Sequence, residues 1–159
     1  MRKVLIFGNS GAGKSTLAQQ LVNEHGLAHL DLDVLAWQPT TPPVRTPLAE
    51  ALIQINTFIG QHDAWIIEGC YGDLLELTVP QANEMIYLSL DSNKCVENAK
   101  NRPWESHKYP TKEAQDANLE MLIGWISDYH QRTDSTGKDA HDALYDNFDK
   151  LKIKRTTNQ

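Results

Sequence analysis

The chain has 159 residues and a formal net charge of −6, with a pI near 5.4. That length suits one domain with a real core and excludes a motor with appended domains, and the acidic balance argues against constitutive nucleic-acid binding, which needs clustered lysine and arginine. No apolar run approaches membrane-spanning length and the N-terminus enters an apolar run at once, leaving no room for a signal peptide, so a cytoplasmic protein is expected. Cys70 and Cys95 lack metal-type spacing and are expected as reduced, half-buried thiols.

The apolar run Val4-Leu5-Ile6-Phe7 predicts a first strand, and Gly8-Asn9-Ser10-Gly11-Ala12-Gly13-Lys14-Ser15 follows directly, fitting the G-x-x-x-x-G-K-[ST] phosphate loop in spacing and context. Its glycines let successive N–H groups turn toward phosphate oxygens, and the N-terminus of the next helix adds its dipole. Lys14 is expected to reach the β- and γ-phosphates and the Ser15 hydroxyl to hold Mg²⁺. Thr16 is either an ordinary first-turn residue or a contact for the α-phosphate.

Leu17, Ala18, Leu21, Val22 and His25 predict a helix over 14–25, with Gly26 as its C-cap. Residues Ala28 to Leu32 predict strand two, ending in Asp31-Leu32-Asp33. Gln38 to Pro47 carries four prolines and reads as too irregular for sheet or helix, a mobile arm before a helix over Leu48–Ile59. Ala64-Trp65-Ile66-Ile67 is a buried-type strand closed by Glu68-Gly69. A further strand is read over Met85–Leu90, with Asp91-Ser92 as the N-cap of a helix through about Asn101. Pro103 ends it, and helices over Glu113–Gln131 and Asp139–Phe148 precede a last strand, Leu151–Arg155, whose lysines suit a sheet edge. Alternating strands and helices imply one α/β domain over 1–159 with a parallel sheet covered on both faces, an acceptor arm at about 34–61 and a lid at about 102–113.

Ligands in such sheets bind beyond the carboxyl ends of the strands, which gathers the loop, Asp31, Asp33 and Glu68 around one crevice. Glu68 is either a strand-end acid facing solvent or a member of the Mg²⁺ shell. Asp33, in preference to Asp31, is read as the group that orients an acceptor hydroxyl or takes its proton. Arginine forks are the preferred phosphate clamp. Of the five arginines, Arg102 and Arg132 are candidates for stabilising the transferred phosphoryl group and Arg45 for holding the acceptor, with Trp37 and Tyr71 as possible pocket walls. Pro103 to Pro110, aromatic and basic, reads as the lid. His29, His62, His130 and His141 show no metal spacing and are expected at the surface or core edge; Trp65 and Trp125 are expected in packing.

A GTPase switch is excluded because the Asn-Lys pair runs Asn93-Lys94-Cys95-Val96, without the base-selecting aspartate. Gly8–Thr16, Asp33-Val34-Leu35-Ala36-Trp37, Trp65 to Tyr71, and Tyr129/Arg132/Asp134 followed by His141 resemble the bacterial DNA topology modulation proteins, in the adenylate kinase-like branch of P-loop kinases. The Asp31-Leu32-Asp33 run is also similar to shikimate kinase, although Glu68-Gly69-Cys70 departs from that enzyme's glycine-rich segment. Glu68-Gly69 likewise replaces the Asp-Gly of adenylate kinase, and lid arginines are fewer. The resemblance implies a three-layer α/β/α P-loop NTPase fold, five parallel strands in the order 2-3-1-4-5, a mobile lid, and ATP with Mg²⁺. The function expected is phosphoryl transfer from ATP to a small molecule or nucleotide; the alternative is an ATP-binding, slowly hydrolysing regulatory protein acting through a protein or DNA partner.

Overall fold

A computed structural model describes residues 1–158. Its main sheet holds β1 (Lys3–Gly8), β2 (Ala28–Asp31), β5 (Trp65–Gly69), β6 (Glu84–Leu88) and β7 (Leu151–Arg155) in the order β2-β5-β1-β6-β7. Every pairing is parallel, and counted along the chain the order is the expected 2-3-1-4-5. Val4, Leu5, Ile6 and Phe7 are wholly buried, which is why β1 takes the centre, where both faces of a strand are covered.

Alternation along the strands makes two cores. Leu5, Phe7, Ile67, Met85 and Tyr87 face α3 (Leu48–Gln61) and α4 (Gly72–Thr78), joined by Phe148 beyond α7 (Lys138–Asp146). Val4, Ile6, Ile66, Ile86 and Leu88 face α1 (Lys14–His25), α5 (Ser92–Lys100) and α6 (Lys112–Ser127). The local signals behave as read: Gly26 takes a left-handed φ of 69° and returns its N–H to Val22 O, and Asp91 caps α5 by accepting from the Lys94 N–H at 2.9 Å. β7 lies on the sheet edge.

Four readings are corrected. The arm is ordered into a one-turn helix, α2 (Asp33–Ala36), and an antiparallel ribbon of β3 (Trp37–Gln38) and β4 (Val44–Arg45). The prolines end the ribbon's strands without preventing it, since each strand is two residues long. The helix expected to reach Gln131 stops at Ser127, because the chain turns at Asp128, with Arg132 N–H bonding Asp128 O, and sends Tyr129 into the core. α4, unread in the sequence, buries Leu74, Leu75 and Thr78. His141 is wholly buried, and Cys70 and Cys95 are buried free thiols, where a surface or core-edge histidine and half-buried cysteines are expected from the sequence. Among the described residues no helix is long and apolar enough to cross a membrane.

Candidate functional site

The glycine loop bridges β1 and α1, and the Lys14 ammonium folds back over it to donate to Asn9 O at 2.7 Å. Asn9 is itself buried, its amide donating to Ile126 O at 3.1 Å, so α6 fixes the loop's first turn. In the first turn of α1, the Ser15 hydroxyl faces Glu68, at 3.0 and 3.2 Å from its two oxygens. Glu68 closes β5 at 1% exposure, so it is not a solvent-facing strand-end acid. Burial, reinforced by the charge of Asp31 beside it, pushes its carboxyl up to about 8.

The Glu68 carboxyl and the Ser15 hydroxyl set oxygen donors 3.0–3.2 Å apart at the end of β5. Glu68 and Ser15 therefore fit a divalent ion completed by phosphate oxygens and water, the usual arrangement for Mg²⁺. Among the described residues no group of three or more His, Cys, Asp or Glu could cage a metal alone.

The end of β2 supplies a second carboxylate centre. Asp31 is buried and its Oδ1 accepts the Asp33 N–H at 2.9 Å, a turn that starts α2 and sets the position of Asp33. The two oxygens of Asp33 are then held from opposite sides, Oδ1 by the Tyr71 hydroxyl at 2.6 Å and Oδ2 by the Lys108 ammonium at 2.7 Å. Burial alone would raise the Asp33 carboxyl; the Lys108 charge and the two hydrogen bonds outweigh it and hold it below the usual carboxylate range. Asp33 is thus an ionised, half-buried acceptor. The Tyr71 phenol is driven far up by burial and by the anions around it, and receives a hydrogen bond from Trp37 Nε1 at 2.9 Å.

The lid meets this centre. Lys108 also lies 3.3 Å from Asp31 and 3.4 Å from Glu105, and Glu105 accepts from Arg102 at 3.0 Å. His107 stands 3.6 Å from Asp31. The lid is anchored to α6 by Gln115, which accepts the Glu105 N–H at 2.8 Å and donates to Pro103 O at 3.1 Å. Arg102 therefore serves the lid's own acid in this state and makes no hydrogen bond or ion pair to the glycine loop among the described residues.

Arg45 packs its guanidinium 4.8 Å from the Tyr71 ring and pairs with Asp73 at 3.1 Å, so it braces the pocket wall. Arg132 stacks 3.9 Å from the Trp125 ring centroid and donates to Trp125 O and to Thr136 Oγ1, holding the turn after α6. The separate parts still share one region. Cys70, immediately past β5, is pushed up to about 12 by burial while feeling the charges of Lys14, Asp33, Arg132 and Arg45.

Behind them, His141 Nε2 bonds Cys70 O at 2.8 Å and its Nδ1 bonds the Tyr129 hydroxyl at 2.7 Å. A carbonyl only accepts, so Nε2 carries the proton. Burial lowers the imidazole to about 4.

No protein-family model matches the chain, and no curated protein matches it. Among solved structures, a gluconokinase from Sinorhizobium meliloti 1021 aligns over 96% of this chain and 82% of its own, with a TM-score of 0.54 at 14% identity. The fold is one that kinases use. Deoxyadenosine kinase from M. mycoides with bound dATP covers 97% of this chain and 90% of its own, at 14% identity and a TM-score of 0.49.

Sequence reading placed the glycine loop, Asp31, Asp33 and Glu68 at the strand ends, Trp37 and Tyr71 just past two of those acids, and Arg45 in the arm; the structure joins Ser15 to Glu68, and Asp33 to Tyr71, which also meets Trp37 and Arg45. It missed Lys108, Glu105 and Asp73. Lys108 had a signal: with His107, it is the basic content of a Pro-bounded segment that must close over two aspartates.

Proposed function

We propose that the protein is an ATP- and Mg²⁺-dependent phosphotransferase that moves the γ-phosphoryl group to a hydroxyl of a small-molecule or nucleotide acceptor. The observation that carries this reading is Asp33, kept ionised by Lys108 and Tyr71 in the same crevice as Lys14. A P-loop alone would serve a switch or a motor equally well. A half-buried carboxylate held by two hydrogen bonds beside it serves the hydroxyl of a second substrate.

The backbone N–H groups of Gly11 to Ser15 and the Lys14 ammonium cradle the triphosphate, Lys14 exchanging Asn9 O for phosphate oxygen. Ser15 and ionised Glu68 would hold Mg²⁺, which when bound would supply positive charge against the phosphate oxygens. The acceptor hydroxyl donates to Asp33, its oxygen attacks the γ-phosphorus, the bond to the leaving β-phosphate oxygen breaks, and the hydroxyl proton passes to Asp33. Arg102 and Arg132 are the cations for charge developing on the transferred group once the lid shifts, with Arg102 leaving Glu105. Trp37, Tyr71, Arg45 and Asp31 form the acceptor pocket. A kinase fold shared with the gluconokinase supports the reading.

The test is a panel of nucleosides, nucleotides and hydroxylated metabolites incubated with protein, Mg²⁺ and labelled ATP. Transfer of label to one acceptor class, lost in Asp33→Asn, is expected. ATP binding or slow hydrolysis with no labelled acceptor would favour the regulatory alternative.

A further inference from the structure

The Gly11 and Ala12 carbonyls of the glycine loop are held by two asparagine amides from distant parts of the chain. Asn98, on α5, donates from Nδ2 to Gly11 O at 2.9 Å and to Asn158 Oδ1 at 3.0 Å. Asn158, three residues past β7, donates from its own Nδ2 to Ala12 O at 2.9 Å. Proton counting fixes both amides. Gly11 O can only accept, so Asn98 presents nitrogen; Asn158 must answer with oxygen, which leaves its nitrogen for the Ala12 carbonyl.

The contact is close as well as complementary. A Cβ on Gly13 would lie 2.8 Å from Asn158 Nδ2, and one on Gly11 would lie 2.3 Å from Cys95 O of α5, at residues whose φ values are 92° and 80°. Gly11 is thus required by the backbone of α5, apart from any ligand, whereas at Gly13 the left-handed φ calls for glycine and the Asn158 amide packs into the space a side chain would fill. In a trans peptide the C=O and N–H point in opposite directions. Tying the Ala12 carbonyl to Asn158 therefore aims the Gly13 N–H away from the tail.

We propose that Asn158, acting through Ala12 and together with Asn98, is a positioning residue of the nucleotide site: the segment after β7 clamps the glycine loop in its binding shape before nucleotide arrives. This rests on the reading of the loop as a triphosphate site. Donors fixed in advance need no reordering on binding, so the clamp acts on nucleotide affinity and leaves the fold alone. Asn158 is exposed and its bonds lie at the surface, so the fold does not depend on it. Linkage makes the effect reciprocal: nucleotide must order residues 156–158 as the tail orders the loop.

The experiment compares full-length wild type, Asn158→Ala, Asn158→Asp and Asn98→Ala by titration calorimetry with Mg²⁺ and ATP, alongside melting temperatures without nucleotide. Each variant is expected to weaken ATP binding about tenfold, the order of one lost positioned hydrogen bond. Asn158→Asp weakens it most, because a carboxylate cannot donate to Ala12 O and also sets a negative charge against that carbonyl and the incoming triphosphate. Nucleotide-free melting of the Asn158 variants stays at the wild-type value, and ATP slows hydrogen exchange of residues 156–158 in wild type. Wild-type affinity in both Asn158 variants overturns the clamp, as does an affinity loss matched by an equal loss of nucleotide-free stability. Failure of wild type itself to bind ATP overturns the triphosphate reading instead, and the clamp with it.

Discussion

The Lys108 ammonium lies 2.7 Å from Asp33 Oδ2 and 3.3 Å from Asp31 Oδ2, so a lid residue sits directly on the carboxylates that end β2. Lys108 is itself held charged, since Asp33 and Asp31 overcome the burial that would otherwise lower it. One lysine thereby links lid position to the protonation state of the proposed acceptor-binding group.

Replacing Lys108 with Met should uncouple the two. Burial then acts on Asp33 with only the Tyr71 hydrogen bond and the charge of Lys14 opposing it, so the carboxyl rises. Carboxyl titration by NMR should show that rise. Acceptor-dependent kcat/KM should fall about 10- to 100-fold, the scale of a compromised general base, while ATP affinity changes little. An unmoved Asp33 titration would show that Lys108 is not what keeps it ionised.

Lys14→Ala should leave the melting temperature of nucleotide-free protein close to wild type. Among the described residues the lysine donates a hydrogen bond to Asn9 O, and it belongs to neither hydrophobic core. Stabilisation by ATP should vanish, because binding to the folded state is what raises the melting temperature. A retained shift would remove Lys14 from the phosphate site.

The glycine loop, the strand ends and the helix caps were legible because their signals are local: a fixed spacing, an apolar run, an aspartate before a helix. Lys108, Asn98 and Asn158 were not, since each acquires meaning only when segments about 75, 87 and 146 residues apart meet. His141 was misplaced for the same reason. Its neighbours Asp139 and Asp142 are polar, and its burial depends on Tyr129 dropping in from the turn after α6. The ribbon β3–β4 was hidden by prolines that permit strands of only two residues.

Gly72→Ala should be among the more damaging small substitutions. The Gly72 N–H donates to Ser135 O at 2.9 Å, and a Cβ there would lie 2.4 Å from that same oxygen. The obstruction is backbone on both sides, so the start of α4 and the 132–137 turn must separate. A loss of about 2–4 kcal/mol is expected by chemical denaturation, in the range for overpacked sites. Because that turn carries Arg132, activity should fall further than stability explains.

Glu68 and His141 give the stability curve opposing limbs. Glu68 titrates at about 8 folded against an ordinary 4.5, so its contribution is full below pH 4.5 and is lost as pH rises through 8. His141 titrates at about 4 against 6.5, so its contribution is full above pH 6.5 and is lost as pH falls toward 4. Between 4.5 and 6.5 the falling slope of Glu68 opposes the rising slope of His141, each up to about 1.4 kcal/mol per pH unit, and His29, also lowered by burial, adds to the rise below its ordinary 6.5. Asp33, Asp134 and Asp142, all held below the ordinary 3.8, act only at lower pH. Wild type should therefore show a shallow rise to about pH 6.5 followed by an alkaline decline. Glu68→Gln should abolish the decline and expose a rise between pH 4 and 6.5, whereas His141→Gln should decline throughout from pH 4.5 to 8. Binding of Mg²⁺ with ATP at pH 7 requires ionised Glu68, so a proton must leave. Calorimetry in two buffers of different ionisation enthalpy should count up to one proton released in wild type and none in Glu68→Gln; equal counts would place the metal away from Glu68.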